Sequence, residues 1–218
     1  MPIAVRNTIS RAAEGVLAVV LDQPSTLGDS DCEALHSGFF SQPINTLTSM
    51  SYAAGGIWAA TRIGSLRREQ RLAASTYSAL MVFNGVGSVA YHGPQFPGAQ
   101  TLHDLPVLGL VGFGAAVPIW RKLRGHRALP GWSNRRIGVI GVASTVAAVS
   151  YVEGRTASRV CDPNSWVQFH GLWHISTAVA MTMWSTILWP PELAATGTTA
   201  TEAASDTAGT AISGVDDE

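Results

Sequence analysis

The residues best equipped for chemistry in this chain are three histidines: His92 in GSVAYHG, and His170 with His174 in FHGLWHIS. Each lies in or at the end of an apolar segment, where packing alone gives an imidazole little reason to be. His170 and His174 are four residues apart, so a helix projects both from one face. Ser88 and His92 share that spacing, and Asp104 follows at the head of the next apolar run. Three neutral imidazoles with an open fourth position are how a catalytic zinc is held. Zinc in such a site supplies a nucleophilic water near neutral pH and polarises a carbonyl, the two effects that amide or ester hydrolysis needs. Asp104 is then the candidate to accept the water's proton and deliver it to the leaving group. Ser88, one turn before His92, is placed to hydrogen-bond the substrate carbonyl or the developing oxyanion.

Each residue also has a structural reading. A single membrane histidine commonly hydrogen-bonds between helices, and His170 with His174 could be two such groups. Ser88 beside glycines is by itself a packing residue. Asp104 ahead of Leu105 and Pro106 could be a helix N-cap, with the proline in the first turn. His103 rivals His92 as third ligand, but a terminal position beside Asp104 makes it the weaker choice. His36 and His126 fall in expected loops and take no role.

The elements that must position these groups are five apolar runs, at 45–63, 72–91, 105–120, 137–152 and 166–189. They predict an all-α fold, a polytopic transmembrane bundle of about five helices. The first, second and fifth runs approach or exceed the ~20 residues that span a hydrocarbon core, whereas the third and fourth are short. Short spans would need local thinning or interfacial anchors, for which Trp120, Trp132, Trp166 and Trp189 are suitably placed. Small-residue stretches at 53–56, 85–88 and 112–116 suit close helix packing in lipid. Charged residues are 13% of the chain, against about 25% in soluble domains. A net charge of −1 argues against a nucleic-acid partner. The organisation read from this is an extramembrane or interfacial segment at 1–41, a transmembrane domain at 42–191, and an acidic, disordered tail at 192–218. The apolar stretch at 15–21 is short and lacks an A-x-A pattern, so it is no convincing signal peptide; an interfacial helix and a loop both fit.

Ten of the fourteen Lys and Arg lie in two loops, after the first and third runs. The positive-inside rule then puts the N-terminus outside and the acidic tail in the cytoplasm. That topology brings His92, Asp104, His170 and His174 to one depth near the outer face, and loop charge is independent of their spacing. Cys32 and Cys161 fall on the same outer side, where an oxidising compartment permits a disulfide; two unpaired thiols are the alternative.

Together these residues resemble the alkaline ceramidase family, within the CREST superfamily of membrane hydrolases. The family's S-x-x-x-H is matched by Ser88 and His92, its aspartate at the next helix by Asp104, and its final H-x-x-x-H by His170 and His174. Residues 31–33 (DCE) followed by 42–52 (QPINTLTSMSY) are similar to the family's entry into its first helix. The resemblance implies a zinc-dependent amidase that cleaves the N-acyl bond of a ceramide-like lipid to a fatty acid and a sphingoid base. It implies a Cys32–Cys161 disulfide as well. The superfamily's receptor-like branch implies the alternative, a non-enzymatic lipid-binding membrane protein with structural zinc. The family has seven helices where five runs are read here. Its animal members carry a calcium site to which Glu33 corresponds, but Gln42 stands where a glutamate belongs. Low lysine, high alanine and compact length point to a bacterial inner-membrane protein, with no obligate protein partner expected.

Overall fold

The computed structural model describes residues 27–125 and 129–190. The 15–21 stretch, His126 and the 192–218 tail lie outside the described residues. Five α-helices follow in order: α1 (Pro43–Thr61), α2 (Arg68–His92), α3 (Ala99–Leu123), α4 (Asn134–Glu153) and α5 (Phe169–Leu188), with a short 3₁₀ turn at Ile63–Ser65. Among the described residues no strand forms, only an isolated bridge between Asp31 and Arg155. The described residues are therefore all-helical, and among them α2, α3 and α4 are long and apolar enough to cross a membrane.

Two expectations about α3 and α4 are corrected. These helices are 25 and 20 residues long, about 37 and 30 Å at the α-helical rise, so they are not short. Each apolar run is extended by polar residues that still take helical geometry: Gln100, Thr101 and His103 before the run in α3 and Arg121 and Lys122 after it, and Asn134, Arg135 and Arg136 before the run in α4. Gly98, in the left-handed conformation, starts α3 at Ala99. Asp104 thus sits in the second turn rather than at the head, and Pro106 lies in the helix interior.

That interior proline shapes the packing. Pro106 has no N–H, so the Leu102 carbonyl loses its helical donor. The α2 backbone comes close at that carbonyl, and a Cβ on Gly87 would run into it. Pro118 frees the Gly114 carbonyl in the same way, and the Trp184 indole N–H of α5 donates to it at 3.3 Å. Helix α1 packs on both α2 and α5, α3 packs on α2, and α4 packs on α5. The helices thus follow one another around an arc, α3–α2–α1–α5–α4.

The side-chain distribution is the reverse of a soluble bundle. On α1, Asn45, Thr46, Ser49 and Gly56 are buried while Leu47, Met50, Ile57 and Trp58 are exposed. On α3 and α4, Leu105, Leu108, Val111, Val142 and Val149 face outward. The larger apolar core lies at one end, where Tyr77, Met81, Leu110, Leu188 and Trp189 pack together, and a smaller one of Leu27, Ala90 and Ala99 lies near the end of α2.

At the other end the segment before α1 is tied down. Cys32 and Cys161 form a disulfide. The Cys32 N–H donates to the Gly154 carbonyl at 2.8 Å, and the Ala34 N–H to the Pro163 carbonyl at 3.0 Å. Glu33 caps α1: its carboxylate accepts from Ile44 N–H at 2.6 Å and Asn45 N–H at 2.8 Å. Those N–H groups have no intrahelical partner, and the carboxylate also meets the positive end of the helix dipole. Burial pushes the Glu33 carboxyl above its usual range, and the two N–H donors oppose that shift.

Candidate metal centre

His92 ends α2, and His170 and His174 occupy the first two turns of α5. All three are buried, and they present ligand atoms within 4.8 Å of one another. The i, i+4 spacing on α5 aligns two of them. The third reaches them because Gln42 N–H donates to the His92 carbonyl at 2.9 Å, holding the end of α2 against the start of α1. The α4–α5 junction is equally close: a Cβ on Gly154 would lie 2.6 Å from the His170 backbone nitrogen. The three histidines lie close enough together to bind a metal ion.

Hydrogen bonds assign which nitrogens are free. His92 Nδ1 lies 2.6 Å from Gln42 Oε1. Gln42 Nε2 donates to the carbonyls of Gly28 at 2.8 Å and Glu33 at 3.0 Å. With the amide so oriented, Oε1 can only accept, and His92 carries its proton on Nδ1. His174 Nδ1 lies 3.2 Å from Thr48 Oγ1 and 3.3 Å from Ser49 Oγ. Both hydroxyls donate to the carbonyl one turn back, Thr48 to Ile44 at 2.7 Å and Ser49 to Asn45 at 2.6 Å. His174 is therefore also the Nδ1–H tautomer. What remains is Nε2 of His92 and of His174, both buried and without a hydrogen-bond partner. An orphaned imidazole lone pair costs stability unless something fills it. Two such lone pairs beside a third buried imidazole fit a metal ion well.

The two other predicted site residues stand in different relations to the cluster. Ser88 is fully buried, and its hydroxyl lies 2.7 Å from Ser49 Oγ. Since the Ser49 proton goes to Asn45, Ser88 is the donor and keeps its lone pairs for other partners. Asp104 lines the same cavity as His92 and His170, a space of about 590 Å³ that is also bordered by His103, Tyr151, Arg155 and Trp173. Its side chain is 51% exposed and takes His103 Nδ1 at 2.7 Å, so the rival histidine is paired with Asp104 and lies outside the cluster.

Among the residues missed from the sequence, Asp31 lies against the cluster itself. Its carboxylate is buried, 3.2 Å from His170 Nδ1, 3.9 Å from His92 Nδ1 and 2.8 Å from Arg155 Nη1. Burial pushes the Asp31 carboxyl up to about 6 despite the opposing pull of the Arg155 guanidinium. Its place in the DCE triplet marked it only as part of a resemblance, because its contacts with His92 and His170 span long stretches of chain. Gln42, Thr48 and Ser49 were missed for the same reason. No family model, no curated protein and no solved structure matches this chain.

Proposed function

We propose that this protein is a membrane-embedded, zinc-dependent amidase that hydrolyses the N-acyl bond of a ceramide-like lipid. The observation that carries the reading is the set of three buried histidines, two with Nδ1 occupied and Nε2 orphaned. Zinc bound there would supply a water of pKa about 7 and Lewis-acid polarisation of an acyl carbonyl. His92, His170 and His174 are the residues that would hold it.

The chain's own groups would do the rest. Ser88, with its proton on Ser49, offers lone pairs that suit accepting a hydrogen bond from water better than donating to an oxyanion. Asp104, in the wall of the cavity, would take up a proton and return it to the leaving nitrogen. A lipid substrate is supported by what adjoins this polar cavity. A second cavity of about 380 Å³ is lined by Tyr77, Leu110, Val111, Ile140, Ser144 and Thr177, among others. Ser144 and Ala148 on α4, and Thr177 and Trp173 on α5, are each one turn apart, so the two cavities follow one another along the same helices. The outward apolar faces of α3 and α4 support a membrane setting, here a bacterial inner membrane with the site toward its outer face.

A second reading, a lipid-binding receptor with a structural metal, is favoured by one observation. The Asp104 carboxylate is engaged by His103 and lies apart from the histidine cluster. Metal analysis of detergent-purified wild type and His170→Ala tests the common premise: about one zinc per wild-type chain and near none in the variant. Turnover of N-acyl sphingoid lipids by the zinc-loaded wild type, lost in Asp104→Ala with zinc retained, separates amidase from receptor. A wild type without metal sinks both.

A further inference from the structure

His170 is the one histidine of the three whose Nδ1 has no aligned hydrogen bond. It is not without a neighbour: Asp31 Oδ1 lies 3.2 Å away, off the N–H line. We infer that Asp31 is the positioning residue of this metal centre, holding His170 through Nδ1 so that the ring presents Nε2 to the metal. The inference rests on the zinc reading above and adds to it a residue that neither the motif spacing nor the resemblance assigns to the centre.

Three observations carry it. The carboxylate is 3% exposed and close to two of the three histidines at once, with Oδ2 3.9 Å from His92 Nδ1. It is anchored, because Arg155 Nη1 reaches Oδ1 at 2.8 Å and also takes Ser30 Oγ at 2.8 Å, while Nη2 donates to the Tyr151 hydroxyl. Its backbone is held on both sides. Asp31 pairs with Arg155 in the bridge, its N–H donates to Gly28 at 2.9 Å, and the next residue is disulfide-bonded Cys32. A carboxylate so fixed cannot swing to ferry protons, but it can set the orientation of an imidazole. Carboxylates that take the second N–H of a ligating histidine fix its tautomer and raise its basicity, and their removal typically weakens metal binding about 10–100-fold. Gln42 does the same for His92, and Thr48 with Ser49 for His174. With Asp31 included, all three Nδ1 atoms are addressed from residues 31–49.

The test is zinc affinity, measured against a chromophoric chelator, for wild type, Asp31→Asn and Asp31→Ala. The expected result is a loss of about 10–100-fold in Asp31→Ala and a smaller loss in Asp31→Asn, which keeps the shape and an acceptor oxygen. Thermal unfolding of the metal-free proteins supplies the structural control, and Asp31→Asn keeps the comparison available if the alanine variant does not fold. X-ray absorption of the zinc-loaded proteins should show the same imidazole count in Asp31→Asn and wild type. Zinc affinity unchanged in both variants overturns the inference alone. Loss of an oxygen ligand from the zinc shell in Asp31→Asn overturns it too, since Asp31 would then be a ligand. A wild type that binds no zinc removes the metal centre itself.

Discussion

The two ends of the bundle bury different things. At one end Tyr77, Met81, Leu110, Leu188 and Trp189 pack apolar atoms together, with a few hydrogen bonds to backbone such as that from the Tyr77 hydroxyl to the Met181 carbonyl at 3.1 Å. At the other, Gln42, Asn45, Ser49, Ser88, His92, His170 and His174 are buried, and directed hydrogen bonds from Gln42, Thr48 and Ser49 orient two of the histidines. Apolar packing tolerates a modest shift, because dispersion and excluded volume have no required angle. A polar cluster does not, because a donor turned away from its acceptor loses the bond and keeps the desolvation penalty. The polar end carries the covalent restraint, although a side-chain cap is also found at the apolar end, where Ser133 accepts from the Arg136 N–H at the start of α4. The disulfide, the Glu33 cap and the Asp31–Arg155 pair all hold the histidine end.

Substitutions can separate the two ends. Met81→Ala empties a fully buried site at the apolar end and should lower stability by about 2–5 kcal/mol. Denaturation in detergent would show it, with zinc content unchanged; loss of zinc would mean that the ends are coupled. Cys32→Ser with Cys161→Ser should lower stability by about 2–4 kcal/mol. Here zinc affinity should fall as well, because Asp31 and Glu33 flank Cys32. Glu33→Gln leaves one carboxylate oxygen's worth of acceptor for two N–H groups and should lower stability by about 1–2 kcal/mol. Its effect on zinc should be smaller than that of Asp31→Asn, since Glu33 touches α1 rather than a histidine. Equal zinc losses in the two variants would show that the segment before α1 acts as one rigid unit, with no special place for Asp31.

Much of this protein was legible in the chain because the informative signals are local. The five apolar runs mark α1 to α5 to within a few residues, except that α3 starts six residues before its run. The start is set by Gly98, whose turn geometry a hydropathy pattern does not register. His170 and His174 share a face by helical period alone, and Ser88 with His92 likewise. The three histidines could thus be chosen as a set before any contact was known.

What the tertiary structure decided is everything that depends on which distant groups meet. Gln42 reaches His92 across 50 residues, and Thr48 reaches His174 across 126. Those contacts assign the tautomers, leave Nε2 orphaned, and turn a spacing into a site fit for a metal. Other long-range contacts, from Arg155 and the Cys32–Cys161 disulfide, put Asp31 beside His170, and Asp104 is left at the cavity wall with His103. Helical period is a property of neighbouring residues and can be read along the chain. Hydrogen-bond direction among buried groups arises only when separate helices pack, so no stretch of sequence contains it.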